Sequence, residues 1–344
     1  MIGAKSSPST SLTRRIMLMY APLLAANIGV WIWAFAVFGD HPALLGTCAL
    51  AYVLGLRHAV DPDHIAAIDN VTRKLMQEGR QPISVGLWFA LGHSALICIA
   101  VCAIALTATS LSDEGFDSWR EVGGVISTIC SATFLFTIAA FNMLVLANVW
   151  NTYRALQRTG HYAEDRIEHL LKNRGFLARL MQPCFAVISC GWHMFPLGFL
   201  FGLGFDTATE VSLFSIAATE SAKGFSLASI MIFPLLFTAG MALIDTTDGV
   251  LMLGAYHWAY VKPRRKLIYN LVITTLSVVV ALGIGLLETL ALLGAKFELT
   301  DGLWSSVAAL NAYYGDLGFL IICLFATVWL CAWFVQRSKR VALS

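Results

Sequence analysis

Uncharged apolar runs of membrane-spanning length recur along the whole chain, and a soluble fold has nowhere to hide that much apolar surface. The first, Ile16–Phe38, holds 23 residues without a charge. It is longer than the core of a secretory signal and no small-residue cleavage site follows it, so it reads as a first crossing. Of 344 residues, 58% are hydrophobic and 13% charged, against about a quarter charged in soluble domains. The expectation is an all-α, polytopic membrane protein with a single transmembrane domain and no room for a separate catalytic one.

At about 20 apolar residues per crossing, spans fall near 16–38, 44–69, 84–110, 121–149, 184–204, 225–254, 268–295 and 316–336. That makes a bundle of eight helices. The connecting segments alternate in sign: Arg14 and Arg15, then Asp40, then Arg73, Lys74 and Arg80, then Asp113, Glu114, Asp117 and Glu121. A basic stretch from Arg154 to Arg179 follows, then a loop with only Lys223, then Lys262 to Lys266, then Glu298, Asp301 and Asp316, and finally Arg337 to Arg340. The positive-inside rule puts both termini in the cytoplasm. The 151–183 loop reads as a short amphipathic cytoplasmic helix, with His161 and His169 as solvated surface residues.

A net charge of +2 spread over loops gives no patch for a nucleic acid. Cys48, Cys98, Cys102, Cys130, Cys184, Cys190, Cys323 and Cys331 all fall in or beside apolar runs, where thiols pack well. No phosphate-binding Gly-rich loop with Lys and Ser/Thr is found, so no ATPase activity or ATPase subunit is implied.

The second span breaks the lipid rule. Within eight residues it carries Arg57, His58, Asp61, Asp63 and His64, with Val60 and Pro62 between them. Each intramembrane charge costs roughly 2.5–3.5 kcal/mol on insertion scales, so the cluster must face the interior and have partners. Two imidazoles and two carboxylates suit a metal dication best. On a continuous helix His58, Asp61 and His64 point inward together, while Pro62 is expected to kink the helix at the cluster and re-aim Asp63. Counting from each cytoplasmic helix end, Asn27, His93, His193 and Asp245 fall at the depth of His58, as if lining one cavity. Asp245 and Asp248 share a helical face and suit direct or supporting coordination, or an ion pair with Arg57. Asp206 and Glu210 sit at the outer end of the fifth span, where they would draw cations to an external mouth. Glu288 is left without a role.

These residues carry a resemblance. Arg57-His58-Ala59-Val60-Asp61-Pro62-Asp63-His64-Ile65 resembles the signature of the nickel/cobalt transporter family, a His, four residues, then Asp-His. Phe89 to Ser94 resembles its Gly-His-Ser motif, Leu203 to Glu210 its third motif, and Gly240 to Asp248 its fourth, in the expected order. The family is similar in having eight spans with cytoplasmic ends. The resemblance implies a secondary permease of a bacterial inner membrane importing Ni²⁺, or Ni²⁺ and Co²⁺, with no cofactor. The ion and the lipid bilayer would be its partners. Taken with the depth and charge of these residues, the resemblance points to metal ligation by His58, Asp61, Asp63, His64 and His93, with Asn27, Arg57, Val60, His193, Asp206, Glu210, Asp245 and Asp248 on or behind the pathway. Asn27 and Val60 resemble nickel-selective members, and Pro62 stands where the usual signature has Ala. The alternatives are a permease for another divalent metal, a metal sensor, and a di-iron oxidase or desaturase, which keeps about eight clustered histidines.

Overall fold

The computed structural model describes residues 8–107, 113–159, 188–204, 208–259 and 263–341. Among them every regular element is a helix: α1 (Pro8–Phe38), α2 (Pro42–His58), α3 (Pro62–Gln77), α4 (Val85–Thr107), α5 (Asp113–Thr159), α6 (Met194–Phe201), α7 (Ala208–Ala222), α8 (Leu227–Ile230), α9 (Ile232–Ala259), α10 (Pro263–Lys296), α11 (Leu303–Ala312) and α12 (Tyr314–Val341). Short 3-10 turns occupy 191–193 and 202–204. Cys184, His161 and His169 lie outside the described residues, with most of the 151–183 loop.

Among the described residues five stretches are long and apolar enough to cross a bilayer: Leu12–Phe38, Val85–Leu106, Gly124–Ala147, Leu227–Ala255 and Leu271–Lys296. Two broken pairs, α2 with α3 and α11 with α12, pass the same test when joined, giving up to 7. The span expected at 184–204 is not among them. Its helix, α6, has 8 residues, about 12 Å against the roughly 30 Å of hydrocarbon. The segment read as an outer loop beyond it is helix α7, whose 15 residues include Glu210 and Glu220. It is too short and too polar to register as a crossing.

The second span is also corrected: it is not one kinked helix over 44–69. α2 stops at His58 and α3 restarts at Pro62. Proline at a first helical position loses no hydrogen bond, because that N–H would have no intrahelical acceptor anyway. It also pushes the preceding residue out of the helical region, and Asp61 is extended (φ −65, ψ 143). α3 then runs past the expected boundary, so Arg73 and Lys74 are helical and 1% and 7% exposed, not loop residues.

The chain divides into two compact units. One comprises 1–60, 81–127 and 190–250; the other comprises 61–80, 128–189 and 251–344. In the first, α4 and α6 pack with almost no gap. A Cβ on Gly92 would overlap the Phe195 carbonyl, and one on Gly198 the Phe89 carbonyl. Small residues at such contacts let membrane helices approach closely. Phe89 meets Phe201 edge-on at 5.4 Å, and Ser127 Oγ donates to the Phe201 carbonyl (2.6 Å). Asn27 joins α1, α2 and α9. Its amide nitrogen donates to the carbonyls of Leu23 (3.0 Å) and Ala239 (3.3 Å), and its oxygen accepts from Tyr52 (3.1 Å). The outer face of α1 is the reverse of a soluble surface, with Met17, Leu24, Ile28, Ile32 and Phe35 all exposed.

In the second unit α3 packs against α10 and α12. It is polar yet buried along nearly its whole length, the pattern of an interior membrane helix. α11 and α12 meet at a bend of 72°. Tyr314, just past that bend, donates to Glu288 Oε1 of α10 (2.7 Å).

Candidate metal site

Three helices of the first unit deliver one donor each to a single point. α2 ends on His58, α4 presents His93 beside Gly92, and α7 carries Glu210 in its first turn, where a helix N-terminus favours a carboxylate. Gly55, one turn before His58, has no room for a Cβ against the Phe237 carbonyl, and this fixes the depth of α2. All three side chains are buried: His58 at 2%, His93 at 3% and Glu210 at 2% exposure.

The His58 and His93 Nε2 atoms are 2.9 Å apart, His93 Nε2 and Glu210 Oε1 are 3.0 Å apart, and His58 Nε2 and Glu210 Oε1 are 3.7 Å apart. A triangle of those sides has a centre about 2 Å from every corner, the bond length of a first-row dication to imidazole and carboxylate. Hydrogen bonding alone serves the three atoms poorly. A proton on His93 Nε2 is wanted by both neighbours, whereas a dication accepts a lone pair from each. His58 is steered from behind, its Nδ1 lying 3.1 Å from Thr209 Oγ1 and its ring against Phe237 at 5.5 Å. In the tautomer whose Nδ1–H donates to Thr209, Nε2 keeps its lone pair for a metal.

The expected positions fare differently. Glu210 is not exposed at a mouth but buried beside the histidines, because α7 packs against α2 and α4 where a loop was expected. Asp245 is fully buried and close enough to act electrostatically on His93. Asp248 lies a turn further along α9, half-buried. His193 is not at the level of His93. It sits in the 3-10 turn before α6, partly exposed, 4.2 Å from the Trp192 ring, with neighbouring Gly191 against Ser84 while Gly198 and Gly202 meet His93. The count inward assumed a helix from 184, and the helix begins at 194. Asn27 braces α2 through Tyr52, with both ends of its amide held by protein groups. Arg57 is half-buried, and Val60 lies in the break after α2 at 7% exposure. Asp206 lies outside the described residues.

In the second unit the break places Asp61 immediately before α3 and Asp63 in its first turn, followed by His64; Asp61 is 5% and His64 0% exposed. The single continuous helix on which His58, Asp61 and His64 were projected is therefore replaced by two, since 59–61 are not helical. Asp63 and Asp61 act electrostatically on the Tyr314 hydroxyl that holds Glu288, the acid to which the sequence assigned no role. Thr209 is the residue sequence reasoning missed. Its only signal is its place next to Glu210 in Thr207-Ala208-Thr209-Glu210.

A family model described as "High-affinity nickel-transport protein" matches residues 44–335. A Cupriavidus necator protein named "High-affinity nickel transport protein" is 55% identical over 326 residues, 95% of this chain and 93% of its own length. "Hydrogenase nickel incorporation protein HupN" of Bradyrhizobium diazoefficiens is 50% identical, covering 93% of this chain and 83% of that protein. "Cobalt transport protein NhlF" of Rhodococcus rhodochrous is 37% identical, covering 88% and 87%. No solved structure matches. A family model matching residues 44–335 and a relative 55% identical over 95% of the chain settle its kinship: the chain belongs to the family of high-affinity nickel-transport proteins.

Proposed function

We propose that this chain is a secondary permease that imports Ni²⁺ across the bacterial inner membrane, binding it between His58, His93 and Glu210. The observation that carries the reading is the triangle of 2.9, 3.0 and 3.7 Å between their donor atoms, all buried. Asp61, Asp63 and His64 complete the ion's route, Asp245 and Asp248 support the histidines, and Asp206 receives the hydrated ion outside. Val60 and Arg57 flank the route, and His193 lies at its edge. The bundle has eight crossings with cytoplasmic termini, α6 and α7 together making the crossing that neither is long enough to make alone. Nickel is preferred over cobalt, in line with the names of the more similar relatives.

Mixed nitrogen and oxygen donors suit Ni²⁺ and Co²⁺, and selectivity over Cu²⁺ has to come from geometry. No ATP is needed. A dication moving inward across 100 mV gains roughly 4.6 kcal/mol, about a two-thousand-fold gradient. Saturable uptake of ⁶³Ni at nanomolar concentration, resistant to excess zinc and manganese and lost in His58→Ala, is the expected result. Wild-type-like uptake by His58→Ala would refute the site.

Two further outcomes follow from the same geometry. Thr209→Val removes the oxygen that orients His58 and is expected to weaken nickel affinity about tenfold, as supporting partners of metal-bound histidines do. Thr209→Ser retains the hydroxyl and should stay near wild type, which titration of the purified pair with nickel checks. Acid should weaken binding, since each imidazole must be neutral to ligate. Nickel affinity measured over a series of falling pH should decline as the imidazoles become protonated; a flat profile down to the acid limit of the protein's stability would speak against imidazole ligands.

A further inference from the structure

Both histidines of the triangle stand against aromatic rings. The Phe237 ring lies 5.5 Å from that of His58, and the Phe89 ring 6.3 Å from that of His93. Each phenylalanine is 0% exposed, and Phe89 is backed in turn by Phe201 at 5.4 Å. Phe237, Met241 and Asp245 follow at four-residue steps on α9, and side chains so spaced share one helical face. Phe237 packs on His58 and Asp245 acts electrostatically on His93, so that face borders the site. Met241, between them, is also 0% exposed. The donors therefore have an apolar wall on the side of α9 and a second one, Phe89, on α4.

A buried water needs roughly two to four polar partners, and aromatic rings supply none. An ion entering between the histidines must therefore exchange its water for protein donors. Imidazole nitrogen compensates Ni²⁺ and Co²⁺ for that loss, whereas Mg²⁺ prefers oxygen and keeps several of its waters. In a wet site Mg²⁺ could sit on the Glu210 carboxylate through those waters. Between rings it would have to take imidazoles instead. The apolar shell around a metal site controls the access of solvent in this way.

We propose that Phe237 is a specificity-determining residue, its ring keeping water from the ion between His58, His93 and Glu210 so that the site rejects Mg²⁺. The inference rests on the permease reading and on that site.

The test is titration of the purified full chain with Ni²⁺, with and without millimolar Mg²⁺. Wild type is expected to bind nickel equally in both. Phe237→Ala opens the wall and should lose about tenfold in apparent nickel affinity when Mg²⁺ is present, and Phe237→Leu, which restores a large apolar side chain, should regain the indifference to Mg²⁺. A merely structural role would lower affinity alike with and without Mg²⁺, and that result would overturn the proposal. Pulsed EPR of the wild-type chain holding one equivalent of Cu²⁺ in D₂O decides even if Phe237→Ala does not fold. No deuterium signal from a metal-bound water is expected, and such a signal would overturn the wall. Wild type that binds no nickel would refute the site itself, so the two failures are distinguishable.

Discussion

Glu210→Gln is expected to abolish high-affinity nickel uptake, with apparent affinity falling about a hundredfold or more while the protein still reaches the membrane. The substitution keeps the shape of the side chain and one oxygen donor, so packing at the start of α7 changes little. What it removes is the carboxylate charge 3.0 Å from His93 and 3.7 Å from His58, at a position only 2% exposed. Water cannot make up for that charge, and two neutral imidazoles are left to hold a dication. Loss of a mere supporting partner costs metal sites 10–100-fold, so loss of the charged ligand should cost at least that. Uptake measured against nickel concentration, with membrane protein quantified in parallel, checks it. Unchanged affinity would return Glu210 to a structural role.

Gly92→Ala is expected to strip the protein from the membrane or leave it unstable, although it adds a single methyl group. That methyl would overlap the Phe195 carbonyl and Cα, which are backbone atoms of α6 and cannot rotate away. α4 and α6 must separate, and His93, the next residue, moves with α4. Overpacking of this kind typically costs 1–3 kcal/mol, and a backbone-to-backbone clash belongs at about the upper end. Gly29→Ala is the control, since nothing lies within 4 Å of a Cβ there. Thermal denaturation of the detergent-solubilised proteins, followed by size exclusion, should show Gly92→Ala melting well below wild type and Gly29→Ala beside it. Equal melting would mean that the α4–α6 contact has more slack than its geometry implies.

What the sequence revealed and what it concealed divide along physical lines. Hydropathy located α1, α4, α9 and α10, because a long apolar helix in lipid leaves an unambiguous stretch of residues. The polar cluster around Pro62 marked the second span as irregular, but a proline inside a helix and one that opens a helix look alike in one dimension. α6 and α7 could not be read as they are, since neither reaches crossing length and both depend on packing within their own unit. That error carried into the site. His193 was placed too deep by counting along a helix that starts later, and Glu210 was put at a mouth because acids beside an apolar run belong outside. His58 and His93 were legible because an intramembrane histidine needs a reason to be there. Thr209 was not, because a hydroxyl a few residues beyond the end of an apolar run carries no signal until its distance to His58 is known.

The central question is whether nickel sits between His58, His93 and Glu210. X-ray absorption at the nickel edge, on purified chain loaded with one equivalent of Ni²⁺, tests it most directly. The prediction is a nitrogen and oxygen shell at about 2.1 Å with imidazole scattering, reduced in His93→Ala and His58→Ala alike. Sulfur neighbours, or a spectrum that neither substitution changes, would contradict it.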